Sequence, residues 1–449
     1  RPQPNPSPAT AVRRLCWRTR PSSPNATLRD GNPPSPASSM PRAKAMKSRL
    51  LLYAASPLFN GNSEYYADFK SKLDGRNLIS QTYDEKKWQR AATAAREAID
   101  AATAAGYALY TDPSVSKSKF EMPSDDVQRV LRLNFIDYNN SKEVLWADTR
   151  KEMNYGLQYK STPYRVGPSS GNGVGVTLSM VEQFYTENGL PIDMDPNYDY
   201  EGRYRTAEYH NDVCDGVTMN LNIGREPRFY AWVAFQNGYY EVMKRNSEDP
   251  EAKVVKTRFR KNDEFGIKAR TTNYSPTGYL NKKGCSPLYD NIQENVPAPH
   301  YPWPVIRMAE LYLNLAEAEA NLGNIDSAVE ALKPVRKRAG LPSVDAAFAT
   351  AGLTLDKAAM IRMAKQERTV ELYLEGHRFW DVRRWKEGEK YFNHRPKGMN
   401  FDGESDAEFF RVTEIIVQRK FSTPMNYLMP IPKDDINKNE SKFVQNPGY

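Results

Sequence analysis

Apolar side chains return every three or four residues in several stretches of the chain, the spacing that gathers them on one face of a helix. "AKAMKSRLLLYAASPLFN" begins the first of these at Ala43. It stops at Ser56-Pro57, where the proline ring clashes with the turn before it and removes a backbone donor. In residues 84–110, Trp88, Ala92, Ala95, Ile99 and Ala102 line one face, and Gly106 is placed to end that helix. Residues 124–138 predict another helix, capped by Ser124. Residues 305–342 read as helix, turn at Gly323-Asn324, and helix. Ala316, Gly323 and Ala328 stand where a tetratricopeptide-type hairpin needs small residues and a turn, so that its two helices can approach closely. Residues 355–386 predict a second hairpin-like segment.

Between about 141 and 303 the helical period breaks up. Residues 169–176, "SSGNGVGV", read as a loop. Gly171, Gly173 and Gly175 lack both the spacing and the preceding strand of a nucleotide-binding loop. Residues 177–193 predict a short helix and a turn. Residues 226–241 predict strand, tight turn at Asn237-Gly238, and strand. The tail from 391 to 449 reads as an extended, proline-bracketed strip. The fold class is therefore mainly α: a tetratricopeptide-like helical hairpin scaffold with a large irregular, loop-rich subdomain that contains short strands. The scaffold comprises 43–140 and 304–390, the loop-rich part 141–303.

Composition changes this picture at the front. Ten of the 32 prolines fall in residues 1–42, with almost no aliphatic period. Such a segment cannot bury enough apolar surface to fold, so 1–42 is expected to be a disordered or non-native leader before a single unit over 43–449. The leader also absorbs the charge. Residues 1–49 hold ten Lys+Arg and one acid, +9, against −1 for the remainder, out of a net +8. A near-neutral body with a basic tail is not the footprint of a nucleic-acid binder. No apolar run approaches the roughly 20 residues of a membrane helix.

Three cysteines, Cys16, Cys214 and Cys285, and four scattered histidines make no zinc spacing, so no metal or cofactor is expected. Whether Cys214 and Cys285 pair is open at this level. The densest chemistry is "ERTVELYLEGHRFWDVRRW", residues 367–385. It holds Glu367, Glu371, Glu375 and Asp381, four arginines and His377. Read as one helix, Val370, Tyr373, Leu374, His377 and Trp380 form an apolar stripe, with Glu375–Arg378 and Asp381–Arg384 as i,i+3 pairs. A glycosidase needs two carboxylates facing each other across a cleft, whereas Glu367, Glu371 and Glu375 recur every four residues in one column. We expect a buried structural cluster, with Gly376 admitting close approach of another backbone, and no enzyme.

Three blocks in order, "RMAELYLNLAEAEANLGN" with "VRKRAGLP", "KQERTVELYLEGHRFWDVRRW" and "LMPIPKDDINKNESKFVQNPGY", resemble the SusD/RagB family of outer-membrane nutrient-binding proteins. "KAMKSRLLLYAASPLFNGN" and "EPRFYAWV" also look like family segments. The resemblance runs from about 43 to 449. It implies a cell-surface protein that captures oligosaccharides, or in some members peptides, for import through a SusC-type TonB-dependent transporter. It also implies a signal peptide and a lipidated cysteine, neither of which is seen in residues 1–42, so the chain reads as a member truncated at its N-terminus. A sugar surface needs aromatic faces and polar groups that meet hydroxyls. Of the 51 aromatics, 23 lie between Trp146 and Trp303. The candidate ligand-binding residues are Trp146, Asn154, Tyr155, Tyr159, Tyr164, Arg165, Tyr198, Tyr200, Tyr239 and Tyr240. The competing classes are a tetratricopeptide-like scaffold that binds peptides or protein partners, and a glycoside hydrolase.

Overall fold

The computed structural model describes residues 36–112, 122–150, 152–163, 171–242, 254–269, 272–289, 298–415, 417–439 and 442–449. Its helices of six or more residues are α1 Pro36–Ala55, α2 Lys86–Ala104, α3 Asp126–Leu133, α4 Glu152–Ser161, α5 Pro227–Trp232, α6 Met308–Leu322, α7 Ile325–Arg338, α8 Val344–Thr350, α9 Lys357–Glu371 and α10 Arg378–Arg384. The strands are short: β1 Val144–Asp148, β2 Thr206–Asn211, β3 Cys214–Met219, β4 Val233–Ala234, β5 Tyr239–Glu241, β6 Val254–Lys256, β7 Leu280–Asn281, β8 Trp303–Arg307, β9 Lys397–Met399 and β10 Val412–Glu414. The protein is mainly helical, as its apolar period predicts.

Helix α1 packs along α2, α2 along α6, and α6 against both α7 and α9. Alanines make this closeness possible. Ala91, Ala92, Ala94, Ala95, Ala98 and Ala102 are buried along α2, and Ala316, Ala318 and Ala320 along α6. Gly323 ends α6 in the left-handed conformation, φ 83°, which costs glycine nothing and an L side chain about 1–2 kcal/mol. Helix α1 starts at Pro36, six residues before the expected end of the leader, and the Arg42 Nε donates to the Leu145 carbonyl at 2.9 Å. Residues 36–42 are thus part of the scaffold. Among the described residues, no helix is long and apolar enough to cross a membrane.

Each ladder among the described residues is a two-stranded antiparallel pair. The pairing of β1 with β8, from Val144 opposite Arg307 to Asp148 opposite Trp303, brings the entry and exit of the loop-rich part side by side. That part is no separate body. One core joins its Phe184, Tyr185, Phe229 and Trp232 to Leu313, Leu332, Met363 and Val370 of α6, α7 and α9.

Several local readings are corrected. The expected hairpin at 226–241 begins instead as helix α5. Pro227 sits in its first turn, where its fixed φ favours a helix, and Arg228, Phe229 and Trp232 share its buried face. Strands β4 and β5 then separate to pair with β7 and β6. The cap of α3 is Asp125, not Ser124: its carboxylate accepts the Gln128 amide at 2.7 Å. The C-terminal strip is partly folded, with the β9–β10 pair and a short helix at Lys433–Asn437. Cys214 and Cys285 are both free and buried.

Residues 367–385 are two helices, not one. Helix α9 ends at Glu371 and α10 begins at Arg378. Between them Leu374 and Gly376 adopt φ 59° and 84°. A Cβ built on Gly376 would meet nothing within 4 Å, so the glycine supplies a backbone conformation and not a close approach.

Candidate functional site

Apart from Arg378, the charged groups of residues 367–385 named above face inward, Glu367 and Glu371 from α9 and the others from beyond its end. Arg228 Nη1 donates to Glu367 at 2.5 Å and Glu371 at 3.2 Å, and its Nε to Glu226 at 2.6 Å. Arg336 holds the other Glu367 oxygen at 3.0 Å. Arg307 bridges Glu143 (2.6 Å), Glu371 (2.8 Å) and Glu375 (2.7 Å). Arg338 donates to Glu143 at 2.7 Å and also to Glu371, and Lys283 closes on Glu375 at 2.7 Å. Four arginines and one lysine thus meet five glutamates, and the cluster is neutral as a whole. Burial works against the Glu375 carboxylate, but the Arg307 and Lys283 charges overcome it and hold it down to about 2. Lys283, which burial lowers to about 8, is the softest cation of the set.

A second cluster adjoins it. Arg384 grips Glu317 with two bonds of 2.5 and 2.6 Å, and Asp381 accepts from Arg384 at 2.8 Å and from Arg368 at 2.9 Å. The expected Asp381–Arg384 pair therefore forms, while Glu375 turns to Lys283 and Arg307 instead of Arg378. His377 Nδ1 lies 3.2 Å from Arg368 Nη2. A guanidinium only donates, so Nδ1 accepts and the ring is neutral. Burial lowers His377 to about 4. Every carboxylate here is committed to a cation, and its side chain is buried. This is the expected structural clamp.

A described surface with room for a polar ligand lies elsewhere, in a groove of ≈ 1110 Å³. Its walls are the start of α3, the β2–β3 turn, α5, and the β5–β6 pair. Tyr230 and Tyr239 are its aromatic residues, each partly exposed. The Arg225 amide donates to the Tyr230 hydroxyl at 3.2 Å, and burial pushes that phenol up to about 12, so it is neutral. Glu241 is tied to Arg132 (3.1 Å) and Lys282 (2.8 Å), and Asp215 to Lys256 (2.7 Å). Asp125, Glu187 and Asp212 are exposed. Such a surface can cover a sugar face with tyrosine and accept hydrogen bonds from hydroxyls. A hollow of ≈ 550 Å³ among α2, α3 and α7 is mostly apolar, with Leu109, Val127, Val130, Tyr312 and Pro334 on its walls. Among the described residues no His, Cys, Asp and Glu group could hold a metal.

Of the sequence candidates whose side chains are among the described residues, only Tyr239 lines this groove. Tyr240, its neighbour on β5, is corrected. Strand alternation turns it inward, where it is 0% exposed and its hydroxyl donates to the Asn281 carbonyl at 3.3 Å. Tyr198 and Tyr200 lie together, half-buried, with the Arg203 guanidinium 3.9 Å over the Tyr200 ring. Trp146 sits on β1 opposite Ile306 and packs on the α1–α2 side of the core. Tyr159 is half-buried on α4, the helix that also carries Asn154 and Tyr155, whose side chains are outside the described residues. Tyr164 and Arg165 lie outside them altogether. Sequence reasoning missed Tyr230, Glu187, Asp212, Asp215 and Lys256, which no local spacing connects.

Comparison with known proteins follows the same lines. The SusD family model matches residues 142–449. "SusD-like protein P2" of Formosa agariphila is 30% identical over 148 residues, 32% of this chain and 25% of that protein. The chain thus spans about a quarter of the length of this relative. Among solved structures, BT4246 superposes with a TM-score of 0.77 at 31% identity, covering 91% of this chain and 71% of that one. A SusD-like protein, BF3747, from Bacteroides fragilis NCTC 9343 shares the fold, with a TM-score of 0.63 at 21% identity over 91% of this chain and 65% of its own. With more than half of its residues matched to the family and its architecture shared, the chain belongs to the SusD family.

Proposed function

We propose that this protein captures oligosaccharides at the outer surface of the cell and passes them to a SusC-type TonB-dependent transporter. Its relatives support this. SusD-like proteins are generally carbohydrate-binding, outer-membrane-associated and partnered with SusC-like transporters. The observation that carries the reading is the groove, where Tyr230 and Tyr239 stand among carboxylates on the loop-rich side. The role is binding and not catalysis. The carboxylates of residues 367–385 are locked in ion pairs, with Glu367 and Glu371 both 0% exposed.

The remaining sequence candidates, Trp146, Asn154, Tyr155, Tyr159, Tyr164, Arg165, Tyr198 and Tyr200, are a second proposed set of contacts, of which Asn154, Tyr155 and Tyr159 belong to α4. Two variants separate the surfaces by isothermal titration against soluble oligosaccharides. Tyr230→Ala with Tyr239→Ala should weaken binding about tenfold or more, the loss expected when buried aromatic contacts are removed. Tyr155→Ala, Tyr159→Ala and Tyr164→Ala together test α4. Full affinity in the groove variant, with loss in the α4 variant, moves the site to α4. Full affinity in both refutes both placements.

A further inference from the structure

We infer that the groove selects uncharged oligosaccharides and turns away those bearing uronate or sulfate groups; the inference rests on reading the groove as the glycan site. Among the described residues, five carboxylates line it, Asp125, Glu187, Asp212, Asp215 and Glu241, against two cations, Arg225 and Lys256. Arg225 is not presented to a ligand, and the charge of the partly exposed Lys256 is matched by Asp215. Arg225 is 2% exposed, and its guanidinium donates to the backbone carbonyls of Tyr185, Leu221, Val181 and Phe184. Bidentate capture of a carboxylate or sulfate needs a guanidinium fork with free donors, and this one is spent. Lys256 is committed to Asp215 at 2.7 Å. Glu241 is matched by Arg132 and Lys282 behind the wall. Of the remaining acids, Glu187 and Asp212 are exposed and make no ion pair among the described residues, and Asp125 spends one oxygen on the α3 cap. An anionic sugar would therefore meet unmatched negative charge within a Debye length of about 8 Å at physiological salt. A neutral sugar offers hydroxyls, which donate charge-assisted hydrogen bonds to the same oxygens.

The test uses the full chain and matched pairs. Affinity electrophoresis against soluble neutral β-glucan, mannan and xylan finds the neutral binders. Isothermal titration then compares each binding oligosaccharide with its C6-oxidised, uronate-bearing derivative. The derivative should bind about tenfold or more weakly, as expected for like charges brought together. Raising salt should narrow the gap, and Asp212→Asn with Glu187→Gln should narrow it at constant salt. Equal or tighter binding of the uronate derivative overturns the inference while leaving the groove as a glycan site. A gap that neither salt nor the variants change is steric and also overturns it. Absence of binding by every neutral and anionic glycan removes the groove reading and this inference with it.

Discussion

Glu371→Gln is the sharpest probe of the ionic core. The amide keeps the shape of the side chain and removes one charge. In the native protein Glu371 Oε1 accepts from Arg307 at 2.8 Å and also from Arg338, and Oε2 accepts from Arg228 at 3.2 Å. Burial opposes its ionisation, but Arg338, Arg307 and Arg228 hold the carboxyl far below the usual range. In the variant, five cations would share four carboxylates, and an NH₂ group would face donors that cannot accept. Removing one partner of a buried pair costs about 3–5 kcal/mol, because the other charge is left uncompensated. Unfolding entropy of about 2.1 cal/mol/K per residue over 449 residues is roughly 0.9 kcal/mol/K, so the cost corresponds to about 3–5 °C in Tm. Differential scanning calorimetry at pH 7 reads it directly. Glu330→Gln, which removes an exposed carboxylate on α7 paired with Lys333, is the control and should melt with the parent. If Glu371→Gln also melts with the parent, the cluster contributes no net stability and the reasoning fails.

Acid should destabilise the protein in two stages. His377 titrates near 4 when folded and near 6.5 when unfolded. Within that window the unfolded chain takes a proton that the folded chain refuses, so stability falls as pH falls, by about 2 kcal/mol between pH 7 and pH 5. Glu310, Glu375 and Asp381, each held at about 2 by cations that overcome burial, extend the loss below the ordinary carboxylate range. His377→Gln should flatten the pH 7 to 5 part of a Tm profile, and an unchanged slope would exclude this histidine as the source. Gly376→Ala should cost about 1–2 kcal/mol from its left-handed backbone alone, since nothing lies within 4 Å of the added carbon; a larger loss in urea denaturation would mean a collision. Cys214 and Cys285 should resist thiol reagents until the chain unfolds, because both are buried and burial raises both thiols, Cys214 to about 11. Peptide mapping that found either one labelled in the native protein would contradict that burial.

The scaffold was legible because its signals are local. Small residues at Ala316, Gly323 and Ala328 fix a close helical hairpin within a span of twelve residues. The 226–241 segment misled because "FYAWVAF" has strand-like composition. Pro227 and the spacing of Phe229 and Trp232 favoured a helix, and core burial decided it. Nothing in the sequence announced the turn after Glu371, since Leu374 is an unusual residue for a left-handed backbone. Gly376 looked equally suited to packing or to backbone freedom. The groove was least legible. Its tyrosines and acids come from α3, the β2–β3 turn, α5 and the β5–β6 pair, so only the folded chain places them together. Strand alternation at Tyr239-Tyr240 was one available clue that the two could not both face a ligand.

The ionic core also sets an order of events during synthesis. Glu143 waits 195 residues for Arg338, and Arg228 waits 139 for Glu367. At about 5–20 residues per second on the ribosome, the first of these delays is roughly 10–40 s. During that time charged groups destined for the interior remain in water, and closing the hairpin scaffold over them early would bury them unmatched. The same ion pairs that hold the finished protein together therefore favour a nascent chain that stays open until its last quarter has been made.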